Sequence, residues 1–151
     1  KNVGRIKANI LEALTSLYRK KTLIKDINID VETLRITLIG ASGELLDPER
    51  LSAGERQLLA TGLIWGLSKS TSRELPTVID TPVGRLDRQH RKHLVQRYFP
   101  KASRQVILLS TDEEIVGAYY TELKPYVGKS YLLDFVEEDI RTSIKEGYFD
   151  E

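Results

Sequence analysis

The apolar positions change period several times along the chain, and each change marks an element. Ile6, Ile10, Leu14 and Leu17 recur at helical spacing through a stretch without Pro and with only Gly4, which predicts an amphipathic helix over residues 3–20. Alternation takes over at Ile27, Ile29 and Val31 and again at Leu34, Ile36 and Leu38. With Val31-Glu32-Thr33-Leu34 as a tight connection, this pattern is a β-hairpin. Gly, Ser, Asp and Pro make residues 40–48 a loop. A helix is expected from about Ser52 to Ser68, after which polar residues lead into a short buried strand at Pro76–Asp80. Helical sequence returns at Arg88–Phe99 and stops at Pro100, and the branched apolar run Gln105–Leu109 is a second buried strand. Asp112-Glu113-Glu114 sets acids where a first helical turn favours them, so another helix is expected there, ending before Pro125. Tyr131–Val136 is one more strand, and the acidic stretch 138–151 a surface extension. The order ββ, α, β, α, β, α, β specifies an α/β fold: parallel central strands flanked by helices, with an antiparallel hairpin ahead of them.

With 151 residues, 40% of them hydrophobic, the chain can bury one core, and a single domain is expected. The formal charge of +1 hides an uneven distribution. Residues 1–25 carry seven Lys or Arg against one Glu, 85–104 carry seven against one Asp, and 134–151 carry seven acids against two bases. A basic stretch attracts nucleic acid, yet a solvated helix face explains each one equally well. Cysteine is absent, so there is no disulfide framework or thiolate metal site, in keeping with a reducing compartment. No apolar run approaches the roughly 18 residues of a membrane span, and no signal peptide is visible, so the chain is expected to be cytoplasmic, with no membrane partner. Methionine is also absent, and Lys1 falls inside a running helical pattern, so an internal fragment of a longer protein is expected.

Two segments carry candidate chemistry. Ser52 and Glu55 form a capping box, each side chain answering an orphan amide at a helix start. Further amides of that helix end stay available to an anion, and Gly54 removes a Cβ where a ligand would approach. Downstream, the run Val78-Ile79-Asp80 places a carboxylate at the carboxyl end of a strand, where open α/β sheets bind ligands. Asp87 follows Asp80 by seven positions, after the turn Gly84-Arg85-Leu86, and is also the natural N-cap of the helix beginning at Arg88.

Taken in order, these segments resemble a known superfamily. Leu51-Ser52-Ala53-Gly54-Glu55-Arg56-Gln57 resembles the signature motif of ATP-binding-cassette ATPases, Pro76–Asp80 their Walker B strand, and Gly84–Asp87 their D-loop. The hairpin, the loop and the entering helix are similar to the carboxyl-terminal lobe of the head in SMC-type chromosome-maintenance and double-strand-break-repair ATPases. Ile79-Asp80-Thr81-Pro82, Gly84-Arg85-Leu86-Asp87 and Ile107-Leu108-Leu109-Ser110-Thr111-Asp112-Glu113-Glu114 most resemble the DndD family of bacterial DNA phosphorothioate modification, over roughly residues 1–148.

That resemblance implies ATP and Mg2+ as cofactors, with Asp80 holding the metal in cis. It implies that Leu51, Ser52, Ala53, Gly54, Glu55 and Gln57 face a nucleotide on the opposite head, that Asp87 lies at the dimer seam, and that Thr81 and Thr111 lie near attacking water. Residues 1–20 become the base of a coiled coil. The implied partners are an amino-terminal ATPase lobe of the same protein, a second copy of the head, DNA, and other DNA sulfur-modification proteins, in a bacterial cytoplasm.

Three departures qualify the implied activity. Thr81 stands where the superfamily usually has a glutamate base, and a hydroxyl orients water without readily taking its proton. Thr111 stands where a switch histidine is usual. Asp112 and Glu113 are nearby substitutes for the base, and phosphoryl transfer depends mostly on positioning and charge stabilisation. The third departure is the P-loop: Gly128-Lys129-Ser130 imitates its end, but the earlier glycine falls on Leu123 and a strand follows. The isolated chain is therefore expected to bind ATP poorly and to be inactive. A non-hydrolytic nucleotide-gated clamp or scaffold is the main alternative; a transporter's nucleotide-binding domain is a further one.

Arg85, Arg88, His90, Arg91, Lys92, His93, Arg97, Lys101 and Arg104 form the strongest basic concentration, of which Arg85, Arg88, Arg91, Lys92 and Arg97 are candidate DNA contacts, directed at phosphates and not at bases. His90 and His93 share a helix face but lack a clustered third ligand, so a surface role is expected. Trp65 is expected in the core.

Overall fold

A computed structural model describes residues 2–18, 23–33, 35–71, 75–84 and 86–149. Lys1, residues 19–22, Leu34, residues 72–74, Arg85 and residues 150–151 lie outside these, including the expected end of the first helix. The elements are α1 (Asn2–Leu17), β1 (Asp26–Ile29), β2 (Ile36–Ile39), β3 (Leu45–Leu46), α2 (Ala53–Ser70), β4 (Thr77–Asp80), α3 (Arg88–His93), β5 (Val106–Leu109), α4 (Ala118–Leu123), β6 (Tyr131–Val136) and β7 (Arg141–Glu146). The expected α/β fold is present, with β4 and β5 parallel and the β1–β2 hairpin antiparallel ahead of them.

The helical period of the first stretch is spent against α2. Ile10, Ala13, Leu14 and Leu17 are buried there, with Leu58, Leu59 and Trp65 of α2 in the same core. Two glycines let the helices approach so closely. A Cβ on Gly62 would come within 2.4 Å of Leu14 Cδ2, and one on Gly66 within 2.4 Å of the Ile10 Cα and 2.7 Å of its amide nitrogen. Hydrogen bonds fasten the margin: Asn9 Nδ2 donates to Ser70 Oγ at 2.9 Å, and Lys69 pairs with Glu12 at 3.0 Å. Trp65, in the core as expected, donates its indole N–H to the Lys101 carbonyl at 3.3 Å and meets Tyr98 edge-on at 5.2 Å.

Several local expectations are corrected. In the hairpin, Ile27 pairs with Leu38 and both are buried, and the Asp30 amide donates to the Arg35 carbonyl at 3.0 Å, closing the short connection where the sequence puts it. Asp30 accepts from the amides of Glu32 and Thr33 within that turn, and Val31 belongs to the turn and not to the alternating strand. The loop at 40–48 contains β3, whose Leu46 pairs with Leu38 after a turn in which Gly43 takes a φ of 88°. The stretch Arg88–Phe99 is helical but not uniformly α: after α3 one turn widens to π over Leu94–Tyr98 and tightens to 3-10 over Phe99–Lys101, burying Leu94, Val95, Tyr98 and Phe99.

Residues 112–114 form a turn and not a helix start, because Glu114 points inward, and α4 waits for Gly117, whose φ of 56° suits a glycine. Pro125 lies inside a 3-10 turn after α4. The acidic stretch contains β7, paired with β6 from Tyr131↔Glu146 to Val136↔Arg141. Strands β4 and β5 are covered on one face only. Ile79, Val106 and Leu108 pack on the core, while Val78, Ile107 and Leu109 are exposed, so the continuous apolar pattern that suggested full burial has one face open to solvent in this chain.

Substituting the two glycines should separate a backbone clash from a side-chain one. Gly66→Ala drives a Cβ into the Ile10 backbone and should destabilise the chain by about 2 kcal/mol or more, even after the roughly 1 kcal/mol gained in helix propensity. Gly62→Ala, opposed by the movable end of Leu14, should cost less. Urea unfolding of both variants measures the order.

Candidate functional site

The parallel register brings two loops to one end of the sheet. Asp80, the last residue of β4, sits opposite Leu109, the last of β5, and the Thr81 amide extends the ladder by donating to the Leu109 carbonyl at 3.1 Å. The loops carrying Thr81 and Thr111 therefore leave the sheet side by side, at its carboxyl end. Asp80 and Thr81 are exposed, and the Thr81 hydroxyl donates to Asp80 Oδ1 at 3.3 Å. Thr81 takes a φ of 50°, a left-handed conformation costly for a β-branched residue by roughly 1–3 kcal/mol. Pro82 and Val83 then turn into the core, fully buried.

The start of α2 is built as its sequence predicts. Ser52 Oγ accepts from the Glu55 amide at 3.2 Å, and Glu55 Oε2 accepts from the Ser52 amide at 2.9 Å. The amides of Ala53 and Gly54 have no intrahelical acceptor by construction, and Ser52 and Ala53 are exposed while Leu51 is buried beneath them. Arg56 braces this end, donating to the carbonyls of Leu51 at 2.7 Å and Glu49 at 3.3 Å. From below, the Tyr18 hydroxyl donates to the Glu55 carbonyl at 2.6 Å. Burial, and secondarily the Glu55 charge, pushes the Tyr18 phenol well above its ordinary pKa, so it stays a donor.

The two regions share a cavity. Ala53, Arg56 and Gln57 on α2 face Thr81 and Gly84 across about 470 Å³. A smaller cavity, about 220 Å³, runs from Gln57 and Thr61 along β4 to Asp80. Gln57 lines both, and its Oε1 is buried with no hydrogen-bond partner among the described residues.

Asp87 is the N-cap of α3, accepting from the amides of His90 at 2.9 Å and Gln89 at 3.0 Å, and its second oxygen pairs with His90 Nδ1 at 3.0 Å. The His90 amide, more than any other contact, holds the Asp87 carboxyl below the usual carboxylate range. A lowered value means that the cap contributes above about pH 4 and is lost as pH falls through the folded-state pKa. The side chain remains 62% exposed, so capping leaves it accessible.

The basic patch divides. Arg88 and Lys92 are exposed, but Arg91 Nε donates to the Leu86 carbonyl at 2.9 Å and Arg97 to the Ser16 carbonyl at 3.0 Å. His93 is buried, against expectation, and its Nδ1–H donates to the Leu17 carbonyl at 3.0 Å. Together His93 and Arg97 donate to two carbonyls in the last turn of α1. Arg85 lies outside the described residues.

Among the described residues no group of three or more His, Cys, Asp or Glu is placed to enclose a metal. A lone accessible carboxylate still fits magnesium, which keeps several waters and takes one or two carboxylates plus phosphate oxygens. Asp112 and Glu113 are exposed on the turn after Thr111. Sequence reasoning missed Glu114. It is 6% exposed and accepts from the Val83 amide at 3.2 Å and the Thr111 amide at 3.3 Å, and its place as the third acid in a row concealed its inward orientation.

No protein-family model matches the chain, and neither does any curated protein sequence. Solved structures do. One, from work on ATP-driven dimerisation and DNA-stimulated activation of SMC ATPases, aligns with 97% of this chain and 86% of its own at 15% identity and a TM-score of 0.67. The SMC head domain from Thermotoga maritima aligns with 95% of this chain and 48% of its own at 14% identity and a TM-score of 0.58. The Smc head domain with coiled coil and joint derived from Pyrococcus yayanosii aligns with 95% of this chain and 27% of its own at 16% identity and a TM-score of 0.68. At such identities the likeness is one of fold, and this chain spans less than half the length of the latter two. Its parallel pair, flanking helices and preceding hairpin are the fold of part of an SMC ATPase head.

Proposed function

We propose that this chain is the carboxyl-terminal lobe of an SMC-type ATPase head that binds ATP and Mg2+ and acts on DNA. The observation that carries the reading is the accessible Asp80–Thr81 pair at the carboxyl end of β4, together with the exposed, capped start of α2 at Ser52. A nucleotide sandwiched between two heads needs both features. Asp80 would hold magnesium on the nucleotide of its own head, where the ion supplies charge neutralisation at the transferred phosphoryl group. Ser52 and the amides of Ala53 and Gly54 would receive the γ-phosphate carried by a second copy, with Glu55 and Gln57 beside them, while Leu51, expected to face the nucleotide, is buried and supports that surface from below. Asp87, accessible although it caps α3, would meet the partner head at the seam.

An amino-terminal lobe of the same protein would supply the phosphate-cradling loop, and the exposed apolar face of Val78, Ile107 and Leu109 suits a protein surface better than solvent. Movement of α1, as the base of a coiled coil, would transmit closure. Exposed Arg88 and Lys92 suit DNA phosphates. The particular output, support for sulfur incorporation into DNA alongside other modification proteins in a bacterial cytoplasm, rests on the resemblance of residues 107–114 and 79–87 to the DndD family. A second reading, a nucleotide-gated clamp that does not turn over, draws on the Thr81 hydroxyl, which donates to Asp80 where a base would act on water.

One set of measurements tests these readings in the complete two-lobed protein. The parent should show slow magnesium-dependent ATP turnover, and Asp80→Asn should lower it about 100-fold or more, since metal coordination is worth several kcal/mol at the transition state. Thr81→Glu should raise it about tenfold or more by providing a base. Turnover that survives Asp80→Asn rules out the metal assignment; tight ATP binding without turnover selects the clamp. For DNA, changing Arg88 and Lys92 to Glu should weaken binding for all sequences alike and reduce the slope of log affinity against log salt by about two. A loss confined to one DNA sequence would contradict phosphate-directed contact.

A further inference from the structure

Thr81 and Thr111 lie on separate loops, and the parallel ladder fixes only where those loops begin. Beyond the ladder, one side chain spans them. Glu114 Oε1 accepts the Val83 amide at 3.2 Å and Oε2 accepts the Thr111 amide at 3.3 Å, one oxygen for each loop. Both sides of this bridge are packed. Val83 is fully buried and Glu114 is 6% exposed, and a Cβ on Gly84 would stand 3.4 Å from Glu114 Oε1 and 2.9 Å from Thr81 Cγ2. The turn that presents Glu114 is itself tied down: its amide donates to the Thr111 carbonyl at 3.4 Å, and the next amide, of Ile115, donates to Ser110 Oγ at 3.3 Å. Tyr148 holds the far side, its hydroxyl donating to the Ile115 carbonyl at 2.8 Å.

Resting on the ATPase reading above, we infer that Glu114 is a positioning residue that sets the separation of Thr81 and Thr111 and thereby the geometry at the attacking water. Among the described residues its two oxygens answer backbone amides and not a cation, so the carboxylate acts as a two-ended acceptor. That chemistry makes Glu114→Gln a narrow probe. The amide keeps the volume of the carboxylate but offers one acceptor, so one of the two loop amides must face an N–H. Aspartate keeps the charge but is one methylene too short to hold both loops at their present spacing.

The test compares the parent and Glu114→Gln in the complete two-lobed protein by steady-state ATP turnover, nucleotide affinity, thermal unfolding and amide hydrogen exchange. A misplaced reacting geometry should lower kcat about 10- to 100-fold while KM and nucleotide affinity stay within about twofold. Exchange at Thr111 or Val83 should accelerate without a general loss of protection. A folded Glu114→Gln protein with the parental kcat overturns the inference, as does a loss of kcat matched by an equal loss of affinity and protection throughout. If Glu114→Gln does not fold, Glu114→Asp, assayed well below its unfolding midpoint, decides by the same kcat and KM criteria. A parent without magnesium-dependent turnover would sink the ATPase reading and this inference with it, whereas a parent that turns over normally beside an unimpaired folded variant removes the inference alone.

Discussion

The close crossing of α1 over α2 is the constraint on which the other features depend. Where Gly66 meets the Ile10 backbone there is no room for a single added carbon, so the two helices behave as one body and not as neighbours able to slide. Interiors packed in this way rearrange in discrete steps and do not deform gradually. The start of α2 is therefore placed by α1, and Tyr18, just past the end of α1, repeats the restraint by holding the Glu55 carbonyl. The same end of α1 is secured by His93, the last residue of the helix that Asp87 caps, and by Arg97 one turn later. One rigid element thus touches both the Ser52 end and the Asp87 end of the candidate site.

The carboxyl end of the sheet is organised by other means. Parallel pairing sets Asp80 beside Leu109, but two short strands have little stiffness, and the loops beyond them must find their own partners for buried polar groups. Glu114 provides them for Val83 and Thr111. The strained Thr81 sits between these supports, with a φ that isolated threonine avoids. Strain of this kind persists only where surrounding contacts over-determine it, and the ladder bond to Leu109 on one side with buried Pro82 and Val83 on the other does so here.

The sequence disclosed what depends on periodicity and on local chemistry. The Ile6–Leu17 stripe, the Ser52 box, the alternation around Ile27 and Leu38, and the run ending at Asp80 each carry their instruction within a few residues, and each element formed where expected. The elements that escaped notice depend on distant partners. Leu45–Leu46 becomes a strand because β2 offers an edge, and Arg141–Glu146 because β6 does. His93 is buried by a carbonyl 76 positions earlier, and Glu114 by an amide 31 positions earlier. The one-sided exposure of β4 and β5 was equally hidden, since an apolar run specifies that both faces tolerate burial, not which of them this chain covers.

Most of the ties between these elements join a side chain to the main chain: Tyr18 to residue 55, His93 to 17, Arg97 to 16, Trp65 to 101, Arg56 to 51, Glu114 to 83 and 111. Such linkages tolerate mutation asymmetrically. The residue lending its peptide group can be exchanged freely so long as the chain path holds, while the one reaching across cannot. Drift at positions such as 16, 17 or 101 would leave the mechanical connections standing, and pairwise covariation would be a poor guide to how the parts of this molecule communicate.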